Sequence, residues 1–206
     1  FEKGKKLWIV IDKPDFLIPP QVEGPADKKL GDFERVANKD VTIFKTEIPD
    51  NYHLRGSGGG LLWTVTMDDG KGEKKYEAHP LYQDFKADKS DKGPTLKFDA
   101  KSLHRNMLLE DPETGEKIFI GLVNSAEDYS GEAQSFAELE TLPSPIGLAL
   151  ISKVDDLTFA KNETGAEISR PKGLTLSPEK DISVYKKTEP KKQNEVSADK
   201  KEISKI

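Results

Sequence analysis

The amino-acid sequence predicts an all-β, mostly antiparallel fold, and three observations support that prediction. Short segments alternate apolar and polar residues at every second position, as strands with one buried face do. Other segments are apolar over five or six residues, as in strands buried on both faces. Between them lie connections rich in glycine, proline and aspartate, the residues that turns require. We therefore expect a single barrel or sandwich of about 8–10 strands with one or two short helices.

The strand assignments follow from these patterns. Leu7–Ile11 and Ile118–Val123 are almost entirely apolar and are predicted to be central strands. Because Trp63 is in phase with neighbouring apolar residues, we expect its ring in the core. Two further strands have one alternating apolar face each, formed by Leu61, Trp63, Val65 and Met67 in the first and by Leu103, Arg105, Met107 and Leu109 in the second.

The connections between the predicted strands carry explicit turn chemistry. Glycine supplies positive φ, proline restricts φ, and aspartate or asparagine closes a turn through its side chain. Four such connections follow one another along the chain, at Asp68–Gly72, Asp111–Gly115, Asn162–Gly165 and Ser177–Asp181. Because hairpin connections join antiparallel neighbours, they predict an antiparallel arrangement.

Two segments depart from the strand pattern and predict short helices. Ser125–Leu139 has apolar side chains at helical spacing, with Ser125 and Asp128 positioned as a capping box. Lys28–Ala37 has the spacing of a short helical turn. The alternative fold is therefore α+β, with the Ser125–Leu139 helix packed over an open sheet.

The last residues of the chain differ in composition from the rest. Residues 188–206 are rich in lysine and glutamate and contain few large apolar side chains. Such a segment cannot bury enough apolar surface to offset the entropy cost of ordering it. We expect a β-rich globular domain over residues 1–187 and a mobile polar tail or linker over residues 188–206.

Composition excludes several kinds of chemistry. The 206 residues include no cysteine, which removes thiol nucleophiles, zinc–thiolate sites and iron–sulfur ligation. The net charge of −5 gives no basic field, so a nucleic-acid partner is not expected.

No apolar run reaches the roughly 20 residues of a transmembrane helix. A start at Phe1 rather than Met is compatible with a signal peptide or lipid anchor in front of it.

The glycine-rich stretch Arg55–Gly60 is the most conspicuous local motif. It lacks the Gly-Lys-Ser/Thr ending of a phosphate-binding loop, and Arg55 stands where a G-x-S-x-G nucleophile motif requires its first glycine. A flexible loop, a bulge or a close approach of two backbones explains the glycines best. Contact with a ligand is the alternative.

Histidines and acidic pairs give weaker indications of chemistry. His53, His79 and His104 are not spaced as in known metal-binding motifs, so no metal site and no cofactor are predicted. The adjacent acidic pairs lie at predicted turns, where turn formation and solubility explain them. A hydrolase that uses Ser57 with a histidine, or two of the carboxylates, stays as an alternative, but no residue is assigned as catalytic.

Aromatic side chains cluster on both sides of the glycine-rich stretch. Tyr52 and Tyr82 lie in polar, loop-like surroundings, where tyrosine faces can hold sugars or peptides. Together with His53, Arg55 and Ser57 they form the predicted ligand-binding set.

These observations favour a binding function without catalysis. The prediction is an extracytoplasmic or cell-surface bacterial domain that binds a protein, a glycan or a small molecule through loop aromatics. Its location is predicted from the lysine-rich, cysteine-free and turn-dense composition, with a cytoplasmic location as the alternative. A structural or assembly subunit is the third function considered.

Overall fold

The computed structural model describes residues 1–24, 30–50, 52–68, 88–90, 93–131 and 133–175, with the backbone alone for residues 88–90. The described residues belong to one compact unit, and residues 177–206 lie outside the described residues. The domain limit at residue 187 and the tail over residues 188–206 therefore stay predictions.

Within the described residues the backbone forms antiparallel β-strands and no α-helix, which confirms the all-β prediction. The strands are short, as is usual in globular proteins. They are β1 (Glu2–Lys3), β2 (Lys6–Ile11), β3 (Glu34–Val36), β4 (Thr42–Glu47), β5 (His53–Gly59), β6 (Leu62–Asp68), β7 (Asp88–Ser90), β8 (Gly93–Asp99), β9 (Leu103–Glu110), β10 (Lys117–Val123), β11 (Gln134–Ser135), β12 (Leu139–Thr141), β13 (Leu148–Ser152), β14 (Thr158–Lys161) and β15 (Gly165–Ser169).

The strands assemble into four open sheets. Three of them have the orders β1-β2-β4-β3, β11-β12-β13-β10-β9 and β14-β15-β8-β7, and the fourth is the two-stranded hairpin β5-β6. No described sheet closes on itself, so the barrel form of the prediction is wrong and a sandwich-like arrangement is what remains. The 15 strands also exceed the expected 8–10, because several are only two or three residues long.

The five-stranded sheet is the centre of the fold because both of its faces are buried. Ile118 of β10 belongs to one buried cluster together with Trp8 and Ile43 of the first four-stranded sheet. The next residue, Phe119, points to the opposite face and packs edge-on against Phe159 of β14, with ring centroids 6.1 Å apart. The prediction of a central strand at Ile118–Val123 is therefore confirmed.

The predicted helix over Ser125–Leu139 is wrong. Gly131 adopts φ of 65°, outside the helical region, and exchanges backbone hydrogen bonds with Ser144. The Asp128 carboxylate accepts a bond from the Ser102 N–H at 2.6 Å instead of capping a helix. The segment bonds to distant parts of the chain, so the local helical spacing does not decide its conformation. The α+β alternative is wrong for the same reason.

The second predicted helical segment, Lys28–Ala37, also lacks a helix where it is described. Residues 25–29 lie outside the described residues, and Glu34–Val36 forms β3. This strand pairs antiparallel with β4, with Arg35 opposite Phe44.

A β-bulge reverses which face of the sheet the side chains at the start of β9 point to. The register with β10 shifts between Leu122 and Val123, so that Leu103 rather than His104 is opposite Val123. Leu103 therefore lies in one core cluster and Leu109 in the other. The prediction that Leu103 and Leu109 share a face is wrong, because an extra residue in one strand inverts the alternation beyond it.

Candidate functional site

The candidate site is the hairpin formed by β5 and β6. The two strands pair from His53 opposite Asp68 to Gly59 opposite Leu62, which leaves Gly60 and Leu61 as a two-residue turn. Gly60 has φ of 61°, and Leu61 does not have positive φ, which is the pattern of a type II′ turn. This turn suits the twist of antiparallel strands, so the sequence sets the shape of the tip.

The structure places four of the five predicted binding residues together at this hairpin. His53, Arg55 and Ser57 alternate along β5, so they share one face, and all three are exposed. Tyr52 immediately precedes the strand and is half-buried. Tyr82 lies outside the described residues. The alternation of side chains along β5 is enough to place His53, Arg55 and Ser57 on one face.

The cross-strand partners of these residues extend the polar face. Residues opposite one another in an antiparallel pair point to the same side. This face is completed by Thr64 opposite Ser57, Thr66 opposite Arg55 and Asp68 opposite His53.

The base of the hairpin lies near β1. Burial raises the pKa of the Glu2 carboxyl, while the N-terminal amino group and, to a smaller extent, His53 act against that rise.

The glycines of the Arg55–Gly60 stretch let the hairpin pack closely against the rest of the domain, which we call the body. A Cβ at Gly56 would overlap the Pro145 carbonyl oxygen and the Ile146 side chain. At Gly59 a Cβ would lie 2.8 Å from the Asn124 carbonyl oxygen, closer than real Cβ contacts allow. The Ala126 N–H also donates a hydrogen bond of 3.1 Å to the Gly58 carbonyl. The glycines therefore serve the close backbone approach that was one of their predicted explanations.

The tip of the hairpin exposes three large apolar side chains. Leu61 and Leu62 are 106% and 74% exposed, and Trp63 is 36% exposed. The Trp63 Nε1–H donates a 3.0 Å hydrogen bond to the Gly60 carbonyl, which holds the indole against the turn. The prediction of Trp63 in the core is wrong, because no sheet formed by the described residues covers the tip.

Sequence reasoning did not single out Leu61 and Leu62 as candidate binding residues, although a signal was present. One third of the chain is charged, yet Gly56–Met67 is twelve residues long and contains no Asp, Glu, Lys, Arg or His. A stretch of this kind is ordinarily buried. Here it forms the exposed end of a hairpin, and exposed apolar groups of this kind mark binding surfaces.

For the hydrolase alternative, the described residues include a histidine–carboxylate pair formed by His104 and Asp12, to which Ser57 does not belong. His104 Nε2 lies 2.9 Å from Asp12 Oδ2, and the Arg105 guanidinium bonds the other carboxylate oxygen. Burial raises the pKa of the Asp12 carboxyl, but the bonds from His104 and Arg105 outweigh it and leave the pKa below its usual range. Asp12 joins the end of β2 to the bulge of β9, which is a structural role.

Ser57 and His53 cannot act as a nucleophile and its base in this arrangement. They are four residues apart on one extended strand, which separates them by about 13 Å. General-base catalysis needs a separation of about 3 Å. His79, the remaining histidine, lies outside the described residues.

The acidic pairs that the described residues contain are engaged in structural contacts. The side chain of Asp111 is almost fully buried and forms an ion pair with Lys3, while its Oδ1 accepts the Glu113 N–H at 2.9 Å. Burial raises the pKa of Asp111, but these bonds dominate and lower it overall. Asp156 bonds Arg170 Nε at 2.7 Å. Such carboxylates stay ionised and stabilise turns.

Two shallow cavities lie elsewhere on the surface. One of about 270 Å³ is lined by charged residues including Lys6, Glu34 and Lys45, and one of about 340 Å³ is lined mainly by apolar residues around Pro20 and Phe33. Tyr52, His53, Arg55 and Ser57 line neither of them.

Within the described ranges no group of three or more His, Asp or Glu residues could hold a metal ion. The same residues contain no helix long and apolar enough to span a bilayer.

Comparison of the chain with models of protein families, with curated proteins and with solved structures finds no match. Its function has to be inferred from its own residues.

Proposed function

We propose that this chain is a non-catalytic binding module and that the β5–β6 hairpin is its binding element. The observation that carries the proposal is the exposure of Leu61, Leu62 and Trp63 at the tip of a hairpin that is fastened to the body. Clustered apolar exposure costs solubility and invites aggregation, so it is retained where a partner covers it.

The geometry of the tip supports binding because it is ordered before any partner arrives. The type II′ turn and the Trp63–Gly60 bond hold the apolar side chains in place. Gly56 and Gly59 hold the hairpin against two body segments. A preorganised surface loses less conformational entropy on binding than a flexible loop does.

The polar face of the hairpin gives this element a second kind of contact. His53, Arg55 and Ser57 are exposed beside the apolar tip and can donate hydrogen bonds to a partner. An apolar centre with a polar rim is the usual composition of a binding surface. Tyr52, at the start of the hairpin, belongs to the same proposed surface.

We also propose that the domain acts outside the cytoplasm or at the surface of a bacterial cell. The lysine-rich, cysteine-free composition supports this location. Fractionation of the cells that produce the protein tests it, and recovery in the cytoplasmic fraction alone would contradict it.

Site-specific photocrosslinking tests the binding element, because it captures whatever molecule lies against a chosen residue. A diazirine amino acid replaces Leu61 in one variant and Leu17 in a matched control, because Leu17 is 75% exposed in an extended segment. Illumination in the producing cells should give adducts with protein, glycan or lipid from position 61 and few from position 17. Equal or absent adducts from position 61 would contradict the proposed function.

A further inference from the structure

We propose that the hairpin tip inserts into the headgroup–hydrocarbon boundary of a phospholipid bilayer with neutral headgroups. This inference rests on the proposed function, since it names the partner of the same hairpin. The tip meets three physical requirements of such a surface.

The first requirement is the absence of charge, because charged side chains are costly to bring into hydrocarbon. Gly56–Met67 contains none, and the nearest charged residues along the hairpin are Arg55 and Asp68. Arg55 lies four residues before Gly59, about 13 Å along the strand, which exceeds the insertion depth of about 5–10 Å of interfacial segments. Leu61 can therefore enter the boundary while Arg55 and Asp68 of the hairpin stay in water.

The body beside the tip points to neutral rather than anionic lipids. Asn124–Ala126, which lies against Gly58 and Gly59, is uncharged, but the next residue is the exposed Glu127. The chain as a whole carries a net charge of −5. Anionic headgroups would repel this surface, whereas zwitterionic headgroups would not.

The second requirement is that polar groups entering the boundary keep their hydrogen bonds. Trp63 Nε1–H is already bonded to the Gly60 carbonyl at 3.0 Å, so the indole loses no water bond on insertion. The backbone of β5 and β6 is paired up to Gly59 opposite Leu62. Tryptophan is also the side chain that bilayer interfaces favour most.

The third requirement is shape. Leu61 is fully exposed at a convex turn, with Leu62 beside it. A protein partner would need a complementary pocket for this tip, but a bilayer accepts a convex apolar group of any outline. Two leucines and one tryptophan provide reversible attachment that is weaker than that of a single acyl chain, because they bury fewer apolar carbons.

Vesicle binding tests the inference with the whole chain. Vesicles of phosphatidylcholine are titrated into the protein, and tryptophan emission is recorded with and without brominated acyl chains as quenchers. Trp8 is buried and gives a constant background, which a Trp63→Phe variant measures. The tip variant carries Leu61→Ser and Leu62→Ser. The control carries Leu17→Ser and Ile18→Ser, an exposed apolar pair in the extended segment.

The expected result is a blue shift and bromolipid quenching of Trp63 emission, half-complete at lipid concentrations on the order of millimolar. The tip variant should need at least about tenfold more lipid, and the control should match the unmodified protein. The inference is overturned if vesicles leave Trp63 emission unchanged, or if the tip and control variants behave alike.

The photocrosslinking experiment separates this inference from the proposed function. Lipid adducts at position 61 support both. Protein or glycan adducts at that position, without vesicle binding, overturn the lipid assignment and leave the binding module standing. Absence of adducts at position 61 contradicts the binding module itself.

Discussion

Two uncharged stretches of this protein have the same length and opposite surroundings. Gly56–Met67 forms the exposed hairpin, whereas Thr141–Ser152 contains β13 and lies in the middle of the five-stranded sheet. Leu148, Ala149 and Leu150 are buried, on alternate faces of that sheet. The hairpin has its most exposed residue, Leu61, within the same kind of sequence.

The difference shows that the absence of charge does not by itself place a segment in the core. A stretch is buried when other sheets cover both of its faces, as they do for β13. The hairpin meets the body mainly through its glycine backbone, and Gly56 touches the other uncharged stretch at Pro145 and Ile146. The apolar side chains at its tip, Leu61, Leu62 and Trp63, stay exposed.

The largest expected contrast between the two stretches is in folding stability. Leu150→Ala should lower the free energy of unfolding by about 2–5 kcal/mol, because it leaves a cavity in the centre of the fold. Leu61→Ala should change it by less than about 0.5 kcal/mol, because Leu61 is exposed. Chemical denaturation of both variants measures the contrast. Similar losses in the two variants would show that the tip is packed.

The contact between the two stretches should be the next most sensitive feature. Gly56→Ala places a methyl group against the Pro145 carbonyl and Ile146, and we expect a loss of about 1–3 kcal/mol in the free energy of unfolding. Limited proteolysis should cut the variant faster within residues 53–68.

Gly31→Ala is the matched control for Gly56→Ala. Its new methyl group would have no neighbour closer than 3.7 Å, so its unfolding free energy should change by less than about 1 kcal/mol. If both variants are equally stable, the hairpin is not held at Gly56.

The stability of the fold around the buried stretch should also depend on pH, through Glu138, which lies just before β12. Burial raises the pKa of its carboxyl, but hydrogen bonds of 2.9 Å from the Thr175 N–H and hydroxyl, together with Arg170, outweigh burial and lower it. The carboxylate therefore stabilises the fold above the unfolded pKa of 4.5. This stabilisation is lost as the pH falls through the lower folded pKa.

A Glu138→Gln variant measures this contribution. At pH 7 it should be less stable than the unmodified protein by about 1–3 kcal/mol, and the difference should shrink below pH 4. Asp155→Asn is the control, because the Asp155 side chain is fully exposed and makes a 3.6 Å ion pair with Lys117. Equal pH profiles for the two variants would contradict a special role for Glu138.

The smallest expected effect on stability concerns the indole of the tip. Trp63→Phe removes the hydrogen bond to the Gly60 carbonyl and should cost no more than about 1 kcal/mol. Acrylamide should quench the emission of the unmodified protein in part and that of the variant hardly at all, because Trp8 is buried. Strong quenching of the variant would show that Trp8, and not Trp63, is the accessible tryptophan.

The strands were predictable where local pattern and tertiary environment agree. Ile118–Val123 is apolar on both faces and became an inner strand of the central sheet, with buried residues on each face. The Asn162–Gly165 connection formed its turn as its chemistry indicated, with the Asn162 side chain accepting the Gly165 N–H at 2.8 Å. In the turn, neighbours in sequence provide the deciding contacts; in the strand, the packing of remote elements agrees with the local pattern.

The predictions that were wrong all involve contacts between distant residues. The helix expected at Ser125–Leu139 is replaced by bonds to Ser102 and Ser144. For the candidate site, His53, Arg55 and Ser57 were predicted in loop-like surroundings, and the structure instead places them on one face of β5. Leu61 and Leu62 were missed because apolar residues in phase with a strand are normally expected in the core.

The sequence by itself determined the antiparallel β architecture, since strand alternation and turn chemistry are local properties of the backbone. The turn at Gly60 and the common face of His53, Arg55 and Ser57 appeared only with the pairing of β5 and β6. Only the tertiary structure decided which uncharged stretch is covered. Burial is a property of the elements that pack on a segment, and those elements come from remote parts of the chain. That is why β13 lies in the core while the equally uncharged tip around Leu61 stays exposed.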